Sequence, residues 1–177
     1  DESLLGEAEN LRLFACTWAG TEHLPLDLLA EEGITVTNAA GIHAPNIAET
    51  VLGHILGFAR RLHEAYRRTQ RREWRHFQMD ELAGSTVTVV GQGAIGQAVV
   101  ERLAGFEVES IAVRYTPEKG GPADTVIGFD PEEFHEALSK TDYLVLAPPL
   151  TETTAGLIGQ AELDTLPPGA VLVNVAR

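Results

Sequence analysis

Three glycines stand where an apolar segment changes to a helical pattern, in the stretch VTVVGQGAIGQAVVERLAG at residues 87–105. Glycine weakens strands and helices alike, so Gly91, Gly93 and Gly96 need a reason here. In the spacing G-x-G-x-x-G the first glycine allows a tight turn, the second lets the backbone approach a diphosphate, and the third lets helix pack on strand. Backbone N–H groups at the helix start would hold the diphosphate. A methyltransferase also binds an adenosyl ligand beside such a turn, so the motif alone leaves both chemistries open.

The next apolar segment bears on the type of dinucleotide. An NAD site usually has an acidic residue about twenty residues further on, where it bonds the ribose 2′-hydroxyl. Here SIAV is followed by Arg114, Tyr115 and Thr116. An arginine at this place can hold the 2′-phosphate of NADP, so the sequence favours NADP. Glu118 is close enough to leave NAD open as the cofactor.

The elements that would position these residues alternate along the chain from Ser85 onward. Strands are predicted at TVTVV, SIAVR, TVIGF, DYLVLAPPL and AVLVNVAR, and helices at QAVVERLAG, PEEFHEALSKT and QAELDTLPPG. Such alternation predicts an α/β fold with a doubly wound parallel sheet, the Rossmann arrangement. The glycines then fall at its first strand-to-helix turn.

The first part of the chain has a shorter pattern. Residues 11–18 (LRLFACTW) predict a buried strand, residues 24–33 a helix ended by glycine, and ITVTNA the next strand. Pro45 and Asn46 then open an amphipathic pattern. Proline suits the first turn of a helix, and this helix is predicted to continue past Tyr66.

The composition excludes several classes of partner. The net charge is −13, with 26 acidic and 13 basic residues, and only two of the basic residues are lysine. We expect a surface adapted to concentrated salt, although an ordinary acidic cytosolic protein would also fit. Seven arginines lie between Arg60 and Arg75, too short a segment in an acidic chain to predict a nucleic-acid partner.

Other classes are excluded by what the sequence lacks. The sequence has no run of eighteen apolar residues, so it predicts no membrane partner. It also has no cluster of Cys, His and carboxylate residues at ligand spacing, so it predicts no metal. The single cysteine, Cys16, fits a reducing compartment, so we expect a cytoplasmic protein.

Five segments together resemble the D-isomer-specific 2-hydroxyacid dehydrogenase family. They are WAGTEHL (18–24), NAAGIHAPNIAETVLGHIL (38–56), VVGQGAIGQAV (89–99), APPLTETTAGLIG (147–159) and LPPGAVLVNVAR (166–177). They follow the family's order over nearly the whole chain. The acidic, lysine-poor surface makes the haloarchaeal members the closest resemblance.

The resemblance implies a two-domain enzyme with its active site in the cleft. Residues 1–45 would be part of a smaller, flavodoxin-like substrate-binding domain. Residues 46–177 would be a dinucleotide-binding Rossmann domain that is incomplete at its C-terminus. The chain is therefore expected to be an internal fragment of a longer protein.

The resemblance also assigns roles to residues. Arg177 matches the catalytic arginine, which binds the substrate carboxylate and polarises the carbonyl, and the backbone N–H groups of Ala19 and Gly20 match the loop that grips the carboxylate. The remaining matches lie around the cofactor: Ala94 and Ile95 at the diphosphate, and Pro148, Thr154, Val175 and Ala176 along the adenosine and nicotinamide-ribose side. The family's acid/base histidine and its glutamate partner match positions beyond Arg177, so this chain alone is expected to catalyse poorly.

These observations together predict an oxidoreductase that interconverts small 2-oxo acids and D-2-hydroxy acids. NADP is the favoured cofactor, and NAD is left open. The arginine-rich helix end lies where the family makes its dimer contact, so the resemblance implies a homodimer. Some corepressors resemble this family and bind partners through the fold, so a dinucleotide-sensing protein without significant catalysis is the alternative. A methyltransferase is disfavoured because Pro148, Pro149 and the terminal VLVNVAR have no clear role in one.

Overall fold

The structure is a computed structural model that describes residues 10–21 and 23–176. It divides the chain into two compact units, Asp1–His43 and Ala44–Arg177. Within the described residues, no helix combines the length and the apolar character that crossing a membrane would require.

The first unit has a small parallel sheet. Strands β1 (Leu13–Ala15) and β2 (Thr35–Thr37) pair, and helix α1 (Leu26–Glu31) connects them. The prediction of a buried strand over residues 11–18 is wrong in length and in burial, since Leu13 is 55% exposed and Trp18 is 70% exposed. Within this unit, two strands of three residues and one short helix are too small to cover both faces of a sheet.

The long amphipathic helix predicted after Pro45 is two helices. Helix α2 (Ala44–Ala59) and helix α3 (Leu62–Gln70) are separated by Arg61, whose φ is +48°. The carbonyl oxygen of Ala59 accepts a hydrogen bond from the N–H of Asp80 at 3.0 Å, which takes the place of the next helical turn. The buried stripe of α2 ends at Ala59 and α3 buries no residue, so no core contact keeps the two helices in line.

The second unit contains the predicted parallel sheet. Its strands are β3 (Thr86–Val90), β4 (Glu109–Val113), β5 (Thr125–Ile127), β6 (Tyr143–Leu146) and β7 (Val171–Asn174). In the described part of the chain they lie in the order β5-β4-β3-β6-β7, and every neighbouring pair is parallel. Strands β4 and β5 are added in turn on one side of β3, and β6 and β7 are then added on its other side. The α/β, doubly wound fold is confirmed, with a topological switch point between β3 and β6.

Helices cover both faces of this sheet. Helix α4 (Ala94–Leu103) follows β3, helix α5 (Pro131–Ser139) follows β5, and helix α6 (Gln160–Thr165) follows β6. On one face α2 and α4 pack against Val87 and Val89, and on the other α5 packs against the core that contains Val90. All five residues of β3 are buried, as a central parallel strand requires. The turn after β3 is therefore fixed by a rigid strand.

Candidate functional site

The three glycines between β3 and α4 have different surroundings. Gly91 has a φ of +91°, and a Cβ there would lie 2.6 Å from the backbone nitrogen of Pro148. A Cβ on Gly96 would collide with the carbonyl oxygen of Gly91, because α4 packs directly on the turn. A Cβ on Gly93 would meet nothing within 4 Å beyond its chain neighbours. Two glycines are thus required by packing, while the third borders open space that a side chain would fill.

The start of α4 beside Gly93 offers backbone donors. Gly93 caps the helix in an extended conformation, and its carbonyl accepts from the N–H of Gln97 at 3.0 Å. In the part of the chain that the structure describes, no side chain accepts a hydrogen bond at this cap. The N–H groups of Ala94, Ile95 and Gly96 therefore remain for solvent or a ligand. Free donors at the positive end of a helix dipole, next to open space, fit an anionic diphosphate.

One cavity of about 380 Å³ opens onto this turn. Five residues singled out from the sequence line it: Gly91, Gly93, Arg114, Pro148 and Thr154. It lies where β3, β4 and β6 end, at the switch point of the sheet. Its wall is completed by Gln92, Tyr115, Thr116, Phe129, Pro149, Thr151 and Thr153. Five of these seven residues lie two or three residues after a strand end, which is the signal that could have identified them from the sequence.

Arg114 brings a positive charge to the cavity wall. It follows β4, and its Nη1 donates to the carbonyl oxygen of Gly120 at 2.5 Å and to Oε1 of Gln92 at 3.4 Å. Among residues 10–21 and 23–176, no carboxylate forms a salt bridge with it. Glu118 lies in an exposed turn and does not line the cavity. The guanidinium charge is therefore available to an anion.

Pro148 and Thr154 belong to the loop that follows β6. The Thr154 hydroxyl donates to the carbonyl oxygen of Pro149 at 2.5 Å and accepts from the N–H of Thr151 at 2.9 Å. These bonds close the loop on itself. Thr154 therefore shapes the cavity wall as well as lining it.

The match to known proteins decides the family. Residues 52–177 match the family described as D-isomer specific 2-hydroxyacid dehydrogenase, NAD binding domain. The chain belongs to the D-isomer-specific 2-hydroxyacid dehydrogenase family. The family's NAD-binding domain is the sheet and helices that surround the cavity, and this membership sets the methyltransferase alternative aside.

Several relatives within the family are similar over the whole chain. A glyoxylate reductase of Thermococcus litoralis is 31% identical over 186 residues, which cover 100% of this chain and 56% of that protein. A D-3-phosphoglycerate dehydrogenase of Mycobacterium leprae is 32% identical over 179 residues, which cover 100% of this chain and 34% of that protein. The crystal structure of a D-isomer specific 2-hydroxyacid dehydrogenase family protein from Aeromonas salmonicida has a TM-score of 0.88 at 29% identity, over 99% of this chain and 56% of that one. The chain spans about half, or less, of the length of these 2-hydroxyacid dehydrogenase relatives.

Two residues that the family resemblance assigns to the nicotinamide side lie at the same sheet edge. Val175 and Ala176 directly follow β7, and the N–H of Val175 donates to the carbonyl oxygen of Leu146 at 2.9 Å. They do not line the 380 Å³ cavity. The structure therefore brings them to the carboxyl end of the sheet but not into the same cavity as Arg114.

Of the residues that the resemblance assigns to the substrate, the structure describes Ala19 and Gly20. Ala19 and Gly20 lie in the first unit, in the segment after β1, where Asn38 Nδ2 donates to the carbonyl oxygen of Ala19 at 2.9 Å. Arg177 lies outside the described residues.

Across the described ranges, no three potential metal-ligating side chains of His, Cys, Asp or Glu come together.

Proposed function

We propose that this chain binds NADP(H) beside the glycine turn, and that the protein transfers hydride between the nicotinamide and a 2-oxo acid or D-2-hydroxy acid pair. One observation carries the proposal. Gly93, which caps α4 and borders open space, lines one cavity with Arg114, and the free donors of α4 begin at the residue after Gly93. NADP has two anionic groups, a diphosphate and a 2′-phosphate, and each suits one of these features.

The roles proposed for the chain's residues follow from their chemistry. The cofactor supplies the hydride-transferring nicotinamide when it is bound. The N–H groups of Ala94 and Ile95 bind the diphosphate, and Arg114 binds the 2′-phosphate. From the resemblance of the sequence to the family, we assign Val175 and Ala176 to the nicotinamide ribose.

The proposed substrate contacts rest on the family resemblance. Arg177 binds the substrate carboxylate and polarises the carbonyl, as a fixed guanidinium does well. From the same resemblance, we assign the N–H groups of Ala19 and Gly20 to binding a substrate carboxylate. Neither group donates to an acceptor in the described part of the chain, which supports this role. The relatives are named for different activities, a glyoxylate reductase and a D-3-phosphoglycerate dehydrogenase among them, so we propose only the class of 2-oxo acids as substrate.

We infer further that the protein is a homodimer, adapted to salt, in the cytoplasm, and closest to haloarchaeal members of its family. The excess of 26 acidic over 13 basic residues supports the adaptation to salt. The arginine-rich segment around α3 supports self-association, together with the exposed Trp74 and Met79 that follow it.

Paired calorimetric titrations with NADPH and NADH test the cofactor proposal. We expect NADPH to bind about ten times more tightly than NADH at high salt. Arg114→Ala should remove this difference, whereas the control Arg102→Ala, which removes an arginine from α4, should preserve it. Equal binding of the two cofactors by the unmodified chain would refute the NADP preference, and binding of neither would refute the site.

Activity is tested separately from binding. Oxidation of NADPH that depends on an added 2-oxo acid should be seen with the natural gene product. Tight cofactor binding without such oxidation would instead favour the dinucleotide-sensing alternative. The 177-residue chain alone should turn over poorly, and turnover at the rate of its family relatives would contradict that expectation.

A further inference from the structure

The surroundings of Arg114 point to two residues, Gln92 and Gly121, to which the sequence analysis gave no role. We propose that Gln92, in a space left by Gly121, positions the Arg114 guanidinium for the 2′-phosphate and thereby sets the preference for NADP over NAD. This inference rests on the proposed function, since it requires NADP in the cavity. It deepens that proposal by naming the residues on which cofactor specificity depends.

Gln92 lies between the first two glycines of the turn, and only 6% of it is exposed. Its Oε1 accepts the hydrogen bond from Arg114 Nη1. A guanidinium can only donate, so the amide must present its oxygen; turned over, it would face the arginine with a second donor. Its Nε2 is buried without a hydrogen-bond partner among the described residues. Within that part of the chain, the contact with Arg114 is therefore the one hydrogen bond that this buried amide makes.

Gly121 leaves the space that the amide occupies. A Cβ there would collide with Oε1 of Gln92 and would lie 2.6 Å from its Nε2 and 2.7 Å from its Cδ. The φ of Gly121 is not positive, so the backbone itself does not require glycine. The neighbouring residue Gly120 does have a positive φ, +59°, and its carbonyl is the second acceptor for Arg114 Nη1. Gly120 thus binds Arg114 through its carbonyl oxygen, and Gly121 leaves room for the Gln92 amide.

Both acceptors hold the same nitrogen of the guanidinium. In the described residues nothing accepts a hydrogen bond from Nη2 or Nε of Arg114. The side chain is anchored through Nη1 and keeps two nitrogens for a bidentate contact with phosphate oxygens. An arginine fixed in advance loses less conformational freedom when it binds. NAD lacks the 2′-phosphate, so only NADP binding gains from this anchor.

The test uses two variants. Gln92→Met keeps the length of the side chain but removes the Oε1 acceptor, and Gly121→Ala displaces the Gln92 amide. Gly105→Ala is the matched control, because a Cβ at Gly105 meets nothing within 4 Å and its φ is not positive. Dissociation constants are measured for NADPH and NADH, and for the fragments 2′,5′-ADP and 5′-ADP. Each test variant should bind NADPH and 2′,5′-ADP about ten times more weakly and change the other two constants less than about twofold. The control should change none.

The double variant Gln92→Met/Gly121→Ala should bind NADPH no more weakly than Gln92→Met, because both changes act through one anchor. Additive losses would refute the role given to Gly121.

The remaining outcomes separate this inference from the function on which it rests. If the unmodified chain does not prefer 2′,5′-ADP to 5′-ADP, the proposed NADP preference itself fails. If it does, and Arg114→Ala abolishes the preference while Gln92→Met leaves it intact, the proposed function stands and the inference fails. An equal loss of NADPH and NADH binding in Gln92→Met would show a merely structural role and would also overturn the inference.

Discussion

Two glycines of the turn serve different purposes, one for folding and one for binding. Gly91 has a positive φ and no room for a side chain, whereas Gly93 has an ordinary extended backbone and open space beside it. The same substitution should therefore act on stability at one position and on the ligand at the other.

Gly91→Ala should destabilise the second unit. The left-handed backbone and the approach of Pro148 both oppose a Cβ, so we expect the free energy of unfolding to fall by roughly 2 kcal/mol or more. Denaturant unfolding measures this loss. A variant as stable as the unmodified chain would contradict the geometry described for the turn.

Gly93→Ala should weaken dinucleotide binding and cost less stability than Gly91→Ala. Alanine is a poorer helix N-cap than glycine by about 1 kcal/mol, and its methyl group would fill the space proposed for the diphosphate. NADPH and NADH should both bind about tenfold more weakly, since both carry the diphosphate. Unchanged titrations in a folded Gly93→Ala variant would place the diphosphate elsewhere.

At the scale of elements, β4 and β5 are held together beside the loop that carries Arg114 and Gly120. The N–H and the hydroxyl of Ser110 donate to one carboxylate oxygen of Asp124, at 2.8 and 2.6 Å. The N–H of Asp124 donates back to the Ser110 hydroxyl at 3.0 Å. These bonds fix the end of the loop between the two strands.

The same bonds make this contact depend on pH. The hydroxyl and then the N–H of Ser110 hold the pKa of the Asp124 carboxyl below its ordinary value of 3.8. Because the folded-state pKa is lowered, the carboxylate stabilises the fold above its ordinary pKa, and that contribution is lost as pH falls through the lowered value. Asp124→Asn should therefore lower the melting temperature at pH 6 and lose less stability than the unmodified chain on acidification below about pH 4. If the melting temperatures of Asp124→Asn and of the unmodified chain change with pH by the same amount across this range, the role of Asp124 is contradicted.

The elements also show what could be predicted from the sequence. The strands and helices after Ser85 followed from local alternation, and the glycine turn and Arg114 followed from their places in it. The break between α2 and α3 depends on the contact of Ala59 with Asp80, which no local pattern contains. Gln92 and Gly121 were missed for the same reason, since only the fold brings them together.

At the scale of the whole molecule, the excess of negative charge should respond to salt. The distance over which charges repel falls from about 10 Å at 0.1 M salt to about 3 Å at 1 M. With a net charge of −13, the melting temperature should rise by several degrees between 0.1 and 2 M KCl. Sucrose of equal osmolality is the control for excluded cosolute. A response to KCl no larger than the response to sucrose would contradict adaptation to salt.

The crystal structure of this chain with NADPH bound tests the central claim most directly. We expect diphosphate oxygens about 2.7 to 3.2 Å from the N–H nitrogens of Ala94 and Ile95, and the 2′-phosphate against Arg114. NADPH at saturating concentration that leaves the cavity beside Gly93 empty, or that places its diphosphate away from the start of α4, would contradict the account.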